Sequence, residues 1–397
     1  MPISARKLSS SQTANPGGVP SEASLRILHL HAGNLYGGVE TLLHTLARLR
    51  HLRPNIEPHF GLCFEGRLSQ ELQAAGVPVH KLGAVRISRP WTMWRARRRL
   101  RELLRRERYD AVVCHMSWPL AVFGREARDA GQKLIFWVHS RLNGRSWLER
   151  MAQRITPDFA ISPSRFIAAS LATFYPQVPA GVVYCPLELT ESPEALRWRA
   201  EVRSDLKVAD EEVVIVQVSR YEALKGHVLL LRALARIKSG KWICWMVGGP
   251  QNAQEESYFS EVQRVAENLG LTDRIRFLGQ RSDVSHLLAG ADIFCQPNQG
   301  PEGFGIVFVE ALWAGRPVVT TAIGGALEIV DETCGFLTKP GDPISLAESL
   351  ERLIVSPDLR SRLGAAGPTR ARQLCEPLTQ MQILDNLMHQ AIGRGSA

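Results

Sequence analysis

The chain has no run of about twenty apolar residues, so no membrane-spanning helix is expected. It has no C-x-x-C. Its seven cysteines stand singly at 63, 114, 185, 244, 295, 334 and 375, mostly in strand-like apolar runs. An odd, scattered set excludes a disulfide or zinc framework and points to buried free thiols in a reducing compartment. There is no H-E-x-x-H, no Walker sequence and no G-x-S-x-G elbow, which sets aside the zinc-protease, P-loop and serine-hydrolase patterns. No residues have metal-ligand spacing and no loop carries D-x-D, so no bound divalent metal is indicated. No repeat of short fixed period occurs. Met1 to Glu22, rich in Ser, Pro and Gly, has no apolar central segment, so a disordered tail is expected rather than a secretory signal.

What is present is ordinarily globular: 397 residues, 45% hydrophobic and 22% charged, enough chain for two cores. The net charge is +9, and it is uneven. Between Arg89 and Arg108 lie nine arginines and two glutamates, which marks a candidate contact with a negatively charged partner. Trp91, Trp94, Leu100, Leu103 and Leu104 fall at roughly helical spacing within this run. The stretch reads as an amphipathic helix packed on a sheet, with an arginine face for anionic lipid or an anionic acceptor. The aromatics are placed on the core side, which argues against nucleic acid.

Strand-like and helix-like runs alternate twice along the chain, which predicts two α/β units with parallel sheets. The expected division is a tail at 1–23, a first Rossmann-like domain at 24–186, a connection at 187–210, a second Rossmann-like domain at 211–375 and a terminal helical segment at 376–397. Thr379 is the expected cap of its last helix. Two such units leave a cleft between their carboxyl edges, where ligands of these sheets bind.

The most informative stretch is Pro301 to Leu312, PEGFGIVFVEAL. A strand leads into a glycine loop, and the loop opens a helix. That order carries a helix N-terminus, with its partial positive charge, to the sheet edge. Glu302 and Glu310 are acceptors beside it, which suits a ligand with hydroxyls as well as phosphates. Arg220 and Lys225, on the loop after the first strand of the second half, are either a diphosphate clamp or two solvated charges. His139 ends an apolar strand; it is either structural or, facing the cleft, a donor to a sugar hydroxyl. Gly37-Gly38 is either a tight turn or a place where backbone approaches a ligand. Glu328, three residues after Gly324-Gly325, can be a helix N-terminal charge.

Together these stretches resemble the large family-four glycosyltransferases (glycosyl transferases group 1), which have the GT-B fold of two facing Rossmann-like domains. The resemblance rests on Gly37-Gly38-Val39-Glu40, His139, Ser219-Arg220 with Lys225-Gly226, Gly248-Gly249, Phe277-Leu278-Gly279, the E-G-F-G…E stretch, Gly315-x-Pro317, Gly324-Gly325-x-x-Glu328 and Gly335-Phe336-Leu337. It spans Leu25 to about Ile392. Two places depart from the family pattern: Cys185-Pro186 where Asn-Gly is common, and Pro297-Asn298 where Pro-Ser is common.

The resemblance implies a retaining, metal-independent transfer of sugar from a nucleotide-sugar, with UDP favoured, to a sugar, lipid-linked or small-molecule acceptor. It implies that Arg220 and Lys225 hold the donor diphosphate and that Glu310 takes the ribose hydroxyls. Glu302, with backbone around Gly303, Phe304, Gly305 and Ile306, would hold the sugar. Gly38 would bring the first loop to the phosphate, and His139 would lie near the transferred sugar. Catalytic roles would fall to His139 and Glu302, donor binding to the rest, with no cofactor. The terminal helix would cross back to the first domain. The setting implied is cytoplasmic polysaccharide or glycolipid synthesis, peripheral at the membrane face. An inverting transferase or epimerase of the same fold, and a non-catalytic nucleotide-sugar-binding scaffold, are the alternatives.

Overall fold

A computed structural model describes residues 24–86, 88–188 and 194–393. The expected N-terminal tail, part of the expected connection and the last four residues lie outside them. Two all-parallel sheets form the architecture. The first contains β1 (Leu25–His31), β2 (Ile56–Leu62), β3 (Val79–Lys81), β4 (Ala111–His115), β5 (Lys133–Trp137), β6 (Phe159–Ser162) and β7 (Ala180–Val182). Its strand order is β3-β2-β1-β4-β5-β6-β7. The second contains β8 (Val213–Val218), β9 (Trp242–Val247), β10 (Ile275–Gly279), β11 (Ile293–Gln296), β12 (Val318–Thr321) and β13 (Gly335–Thr338), ordered β10-β9-β8-β11-β12-β13. Helices cover both faces, so the central strands read as nearly continuous apolar runs; β4 and β9 are buried at every position.

The order reverses between β1 and β4 in one sheet and between β8 and β11 in the other. At such a switch point the two neighbouring connections leave in opposite directions and open a crevice. The loops after β8 and β11 are those carrying Arg220, Lys225 and Glu302. The parallel pairing of β8 with β11 therefore makes neighbours of residues about eighty apart in sequence.

The helix Ala195–Asp205, within the expected connection, is fixed to the second domain. Arg199 and Arg203 reach Asp292 at 2.7 and 3.1 Å. The final helix, Pro377–Ile392, packs on the first domain. Gln380 Oε1 accepts from the Tyr184 amide at 3.0 Å, and Asp385 accepts from Asn55 at 3.1 Å. Its cap is not Thr379 but Glu376, whose carboxylate accepts from the Leu378 and Thr379 amides.

Three other sequence expectations are corrected. Trp91 and Trp94 are 54% and 55% exposed on the helix Pro90–Arg106, whose buried residues are Ala96, Leu100, Leu103 and Leu104. Trp94 precedes Ala96 by two positions, about 200° around the helix, and so faces away from the sheet. The sequence pattern places a helix over Pro357 to Gly364; the helix instead runs from Pro357 to Cys375 with Pro368 inside it. Gly364 and Gly367 are contact points: a Cβ on either would stand 2.4 Å from a backbone oxygen, of Gly315 or Leu312. Finally, the helices Trp147–Gln153 and Arg165–Phe174 occupy stretches where no element was expected. All seven cysteines are buried and unpaired.

Candidate functional site

Between the two carboxyl edges lies a cavity of about 1410 Å³. The β8 loop contributes Arg220 and Lys225. The β11 loop and the helix it opens, Ile306–Trp313, contribute Glu302, Gly305, Ile306 and Glu310. Gly38 comes from the first domain. Gly305 has φ +99°, a left-handed conformation natural only to glycine, and it turns the chain directly into the helix. The first amides of that helix have no partner within it, so its N-terminus faces the cavity with donors to offer. The close approach of the two loops needs Gly226: at φ +76°, a Cβ there would stand 1.8 Å from the Pro297 carbonyl oxygen.

The charged groups are already paired. Lys225 forms an ion pair with Glu302, both largely buried. Arg220 pairs with Glu222 at 3.0 Å and with buried Glu255. Glu255 also accepts from the Gln251 amide at 2.9 Å. Glu310 differs. No side-chain partner of it is seen among the described residues, and burial raises its pKa to about 7.

Gly303, Phe304 and His139 are not among the residues that line the cavity. Phe304 is buried and stacks on Tyr184, centroids 5.1 Å apart. Gly303 packs across the domain interface. A Cβ on it would stand 2.2 Å from the His139 carbonyl oxygen, and its own carbonyl accepts from Ser164 Oγ at 2.6 Å. The His139 side chain is not on the cavity wall. It stacks on Trp137 and bonds His115 Nδ1 through Nε2 at 3.0 Å, while His115 Nε2 bonds His29 Nδ1 at 2.9 Å. This imidazole chain crosses β5, β4 and β1. Burial lowers the His29 and His139 pKa values to about 3, with His59 and His31 respectively adding to the effect, so the chain is neutral at ordinary pH.

Gln251 carries no sequence signal of its own, and the partners of Glu328 and Glu40 carry none either. Gln251 makes a two-way bond with the Tyr36 backbone, accepting from its amide at 2.9 Å and donating to its carbonyl at 2.8 Å, which ties the first-domain loop to the second domain. Glu328 does lie in a helix first turn, but its carboxylate serves the other domain. It accepts from the amides of Arg165 and Phe166 at 3.0 and 2.8 Å and from Tyr184 Oη at 2.9 Å. Glu40 braces the Gly37-Gly38 turn, accepting from Gly37 N at 2.8 Å and meeting His31 at 2.6 Å. Burial alone would raise its pKa, but His31 and the amides hold it low. Pairing of loop residues across a domain gap is visible only once both sheets are in place.

Comparisons with known proteins agree with this geometry. The family described as Glycosyl transferases group 1 matches residues 199–370, and that described as Glycosyltransferase Family 4 matches residues 36–191. Among characterised proteins, D-inositol 3-phosphate glycosyltransferase of Salinispora tropica is 31% identical over 211 residues, 51% of this chain and 42% of that protein. Human alpha-1,3/1,6-mannosyltransferase ALG2 is 27% identical over 303 residues, 68% of this chain and 71% of that protein. Several of these matches thus span about half or less of the relative's own length. Among solved structures, Anabaena Alr3699/HepE in complex with UDP-glucose superposes with a TM-score of 0.80 at 25% identity, over 91% of this chain and 99% of that one. WaaG, a glycosyltransferase involved in lipopolysaccharide biosynthesis, shares the fold at a TM-score of 0.69 and 17% identity.

Proposed function

Because the chain belongs to the family-four glycosyltransferases of group 1, with their GT-B fold, we propose that it moves a sugar from a UDP-linked donor to a hydroxyl acceptor, retaining the anomeric configuration and using no metal in the transfer. The observation that carries this reading is convergence. Gly38, Arg220, Lys225, Glu302, Gly305, Ile306 and Glu310 meet around one cavity at two facing switch points. UDP is favoured because the similar Anabaena protein was solved with UDP and with UDP-glucose.

In the proposed arrangement Arg220 and Lys225 hold the diphosphate, aided by the N-terminus of the helix Ile306–Trp313. Lys225 exchanges Glu302 for phosphate, and Glu302 turns to the sugar hydroxyls. Glu310 accepts from the ribose when ionised. The leaving phosphate, stabilised by the cations, helps take the proton from the attacking hydroxyl. His139 acts from behind the wall: its carbonyl packs on Gly303 and so sets the floor under the sugar. A thermal-shift panel of nucleoside diphosphates and their sugars tests the donor. A ligand at 100 times its dissociation constant adds about 2.7 kcal/mol. No shift with any nucleotide-sugar would sink the assignment, and NMR of the product anomer tests retention.

We also infer that the acceptor side works against an anionic membrane face. No described helix is long and apolar enough to cross a membrane. The helix Pro90–Arg106, however, exposes Trp91 and Trp94 together with Arg95, Arg98 and Arg101. Indole rings beside guanidinium groups suit a headgroup layer. Co-sedimentation with vesicles containing phosphatidylglycerol is expected for the native chain, and not for W91A/W94A. Equal sedimentation of the two would remove this part of the proposal.

A further inference from the structure

A second polar cluster lies in the first domain, and none of its members lines the cavity. His59 comes from β2, His80 from the neighbouring edge strand β3, and Glu107 from the end of the helix Pro90–Arg106. His59 Nδ1 stands 3.2 Å from His80 Nε2 and 3.8 Å from Glu107 Oε2. Tyr109 Oη lies 3.2, 3.1 and 3.1 Å from those same three atoms. These five separations, 3.1 to 3.8 Å, are of the size that a tetrahedral ion site requires. Bonds of about 2.0 Å to a central zinc ion require corners roughly 3.3 Å apart.

The outer atoms agree with that reading. His59 Nε2 is 2.8 Å from Glu57 Oε1; with the ring proton on Nε2, its Nδ1 lone pair points into the cluster. A carboxylate behind a histidine is the usual way to orient a metal-bound imidazole. His59 is buried, while His80 and Glu107 are partly open and leave a path for an ion.

Arg26 is the opposing group. Its Nη2 is 3.2 Å from both Glu107 Oε2 and His59 Nε2. Its Nε lies 3.3 Å from Glu57, and Nη1 donates to the Arg108 carbonyl at 3.1 Å, so it has other partners when Glu107 turns inward. Arg106 also pairs with Glu107, at 3.3 Å, so the two carboxylates face two guanidinium groups and the charges around the cluster balance before an ion enters.

We propose that His59, His80 and Glu107 form a zinc-type site, with the Tyr109 hydroxyl or a water at the fourth corner. The site fastens the edge strand β3 and the end of the arginine-rich helix to the centre of the first sheet. Nitrogen donors favour zinc or cobalt over magnesium or calcium. The competing account is a self-sufficient hydrogen-bond network with Tyr109 as its hub.

The test uses tag-free, full-length protein stripped with chelator, titrated with ZnCl2 by calorimetry and with CoCl2 by visible absorption. One equivalent of zinc is expected to bind and to raise the melting temperature, a tetrahedral-type cobalt band to appear, and excess magnesium to compete with neither. H80A, on the edge strand, and E107Q, which keeps a neutral acceptor beside Tyr109, should each weaken zinc at least tenfold. E57Q should weaken it by about 10- to 100-fold. No zinc uptake by the native chain, or equal uptake by native, H80A and E107Q proteins, would leave only the hydrogen-bond network. The melting shift given by UDP-sugars should survive in all three variants, which separates this result from failure of the donor assignment.

Discussion

On the second domain's side of the cleft, Lys225 is paired with Glu302, and Arg220 with Glu222 and Glu255. In the first domain, behind the cavity lining, the matching strand ends carry imidazoles, His29, His115 and His139, bonded to one another and held neutral by burial. The folds are alike, but the polar chemistry is not. Ion pairs at a cavity wall can exchange one partner for a charged ligand. A closed chain of neutral rings cannot; it can only shift its protons or hold the backbone around it. The paired charges at the cavity are thus suited to grip a donor, and the neutral rings behind the first domain's lining to set shape.

Removing the charges should produce the largest effect. Lys225→Ala and Glu302→Ala are each expected to lower kcat/KM by at least about 100-fold while circular dichroism and melting show a folded chain. Full turnover by either would break this contrast. Next is Glu310, with its pKa near 7. Below that pH it is protonated and accepts poorly, so donor affinity should weaken up to about tenfold per pH unit as pH falls from 7. Glu310→Gln should flatten this profile in equilibrium binding; an unchanged profile would remove the ribose role.

The neutral rings should answer through stability. His29 and His139 have folded-state pKa values below the ordinary one, so as pH falls the unfolded chain takes up protons first. Their contribution is full above about pH 6.5 and is lost toward pH 3, by about 1.4 kcal/mol per pH unit for each ring. Urea denaturation of His139→Gln should therefore show a shallower loss between pH 6.5 and 5 than the native chain. Equal slopes would show that His139 is not held neutral. The smallest effect is expected from Glu328→Gln, which weakens the acceptor for two amides and a tyrosine across the domains. A loss of about 1 kcal/mol and a donor KM raised a few-fold should accompany a larger radius of gyration in solution scattering. No change in any of the three would show that Glu328 does not hold the domains together.

The sequence was most readable where one local pattern decided the outcome. Apolar strands ending in glycine loops gave both parallel sheets, and Gly305 marked the helix start because only a left-handed turn admits that entry. It was misread where one residue type serves two purposes. Gly364 looks like a helix stop, yet it is there so that its helix can touch the Gly315 backbone. Trp94 looked like core because it is large and apolar, although its phase against Ala96 and Leu100 puts it outside. Of the cavity lining, Arg220, Lys225, Glu302 and Glu310 were legible, since they lie on the loops after β8 and β11 and on the helix that the second loop opens. Gln251 and the second partner shell of Glu328 were not, because their significance lies in another domain. The His59, His80 and Glu107 set was missed because its members meet only after β2, β3 and a helix end are assembled.

The Lys225–Glu302 pair has a consequence for selectivity. Under the proposed roles, a spent nucleoside diphosphate can draw off the lysine but has lost the sugar whose hydroxyls would satisfy the carboxylate it strands. A sugar-loaded nucleotide satisfies both partners at once. The pair would then work as a gauge of cargo, penalising the spent carrier by one unsatisfied anion and hastening its departure after transfer.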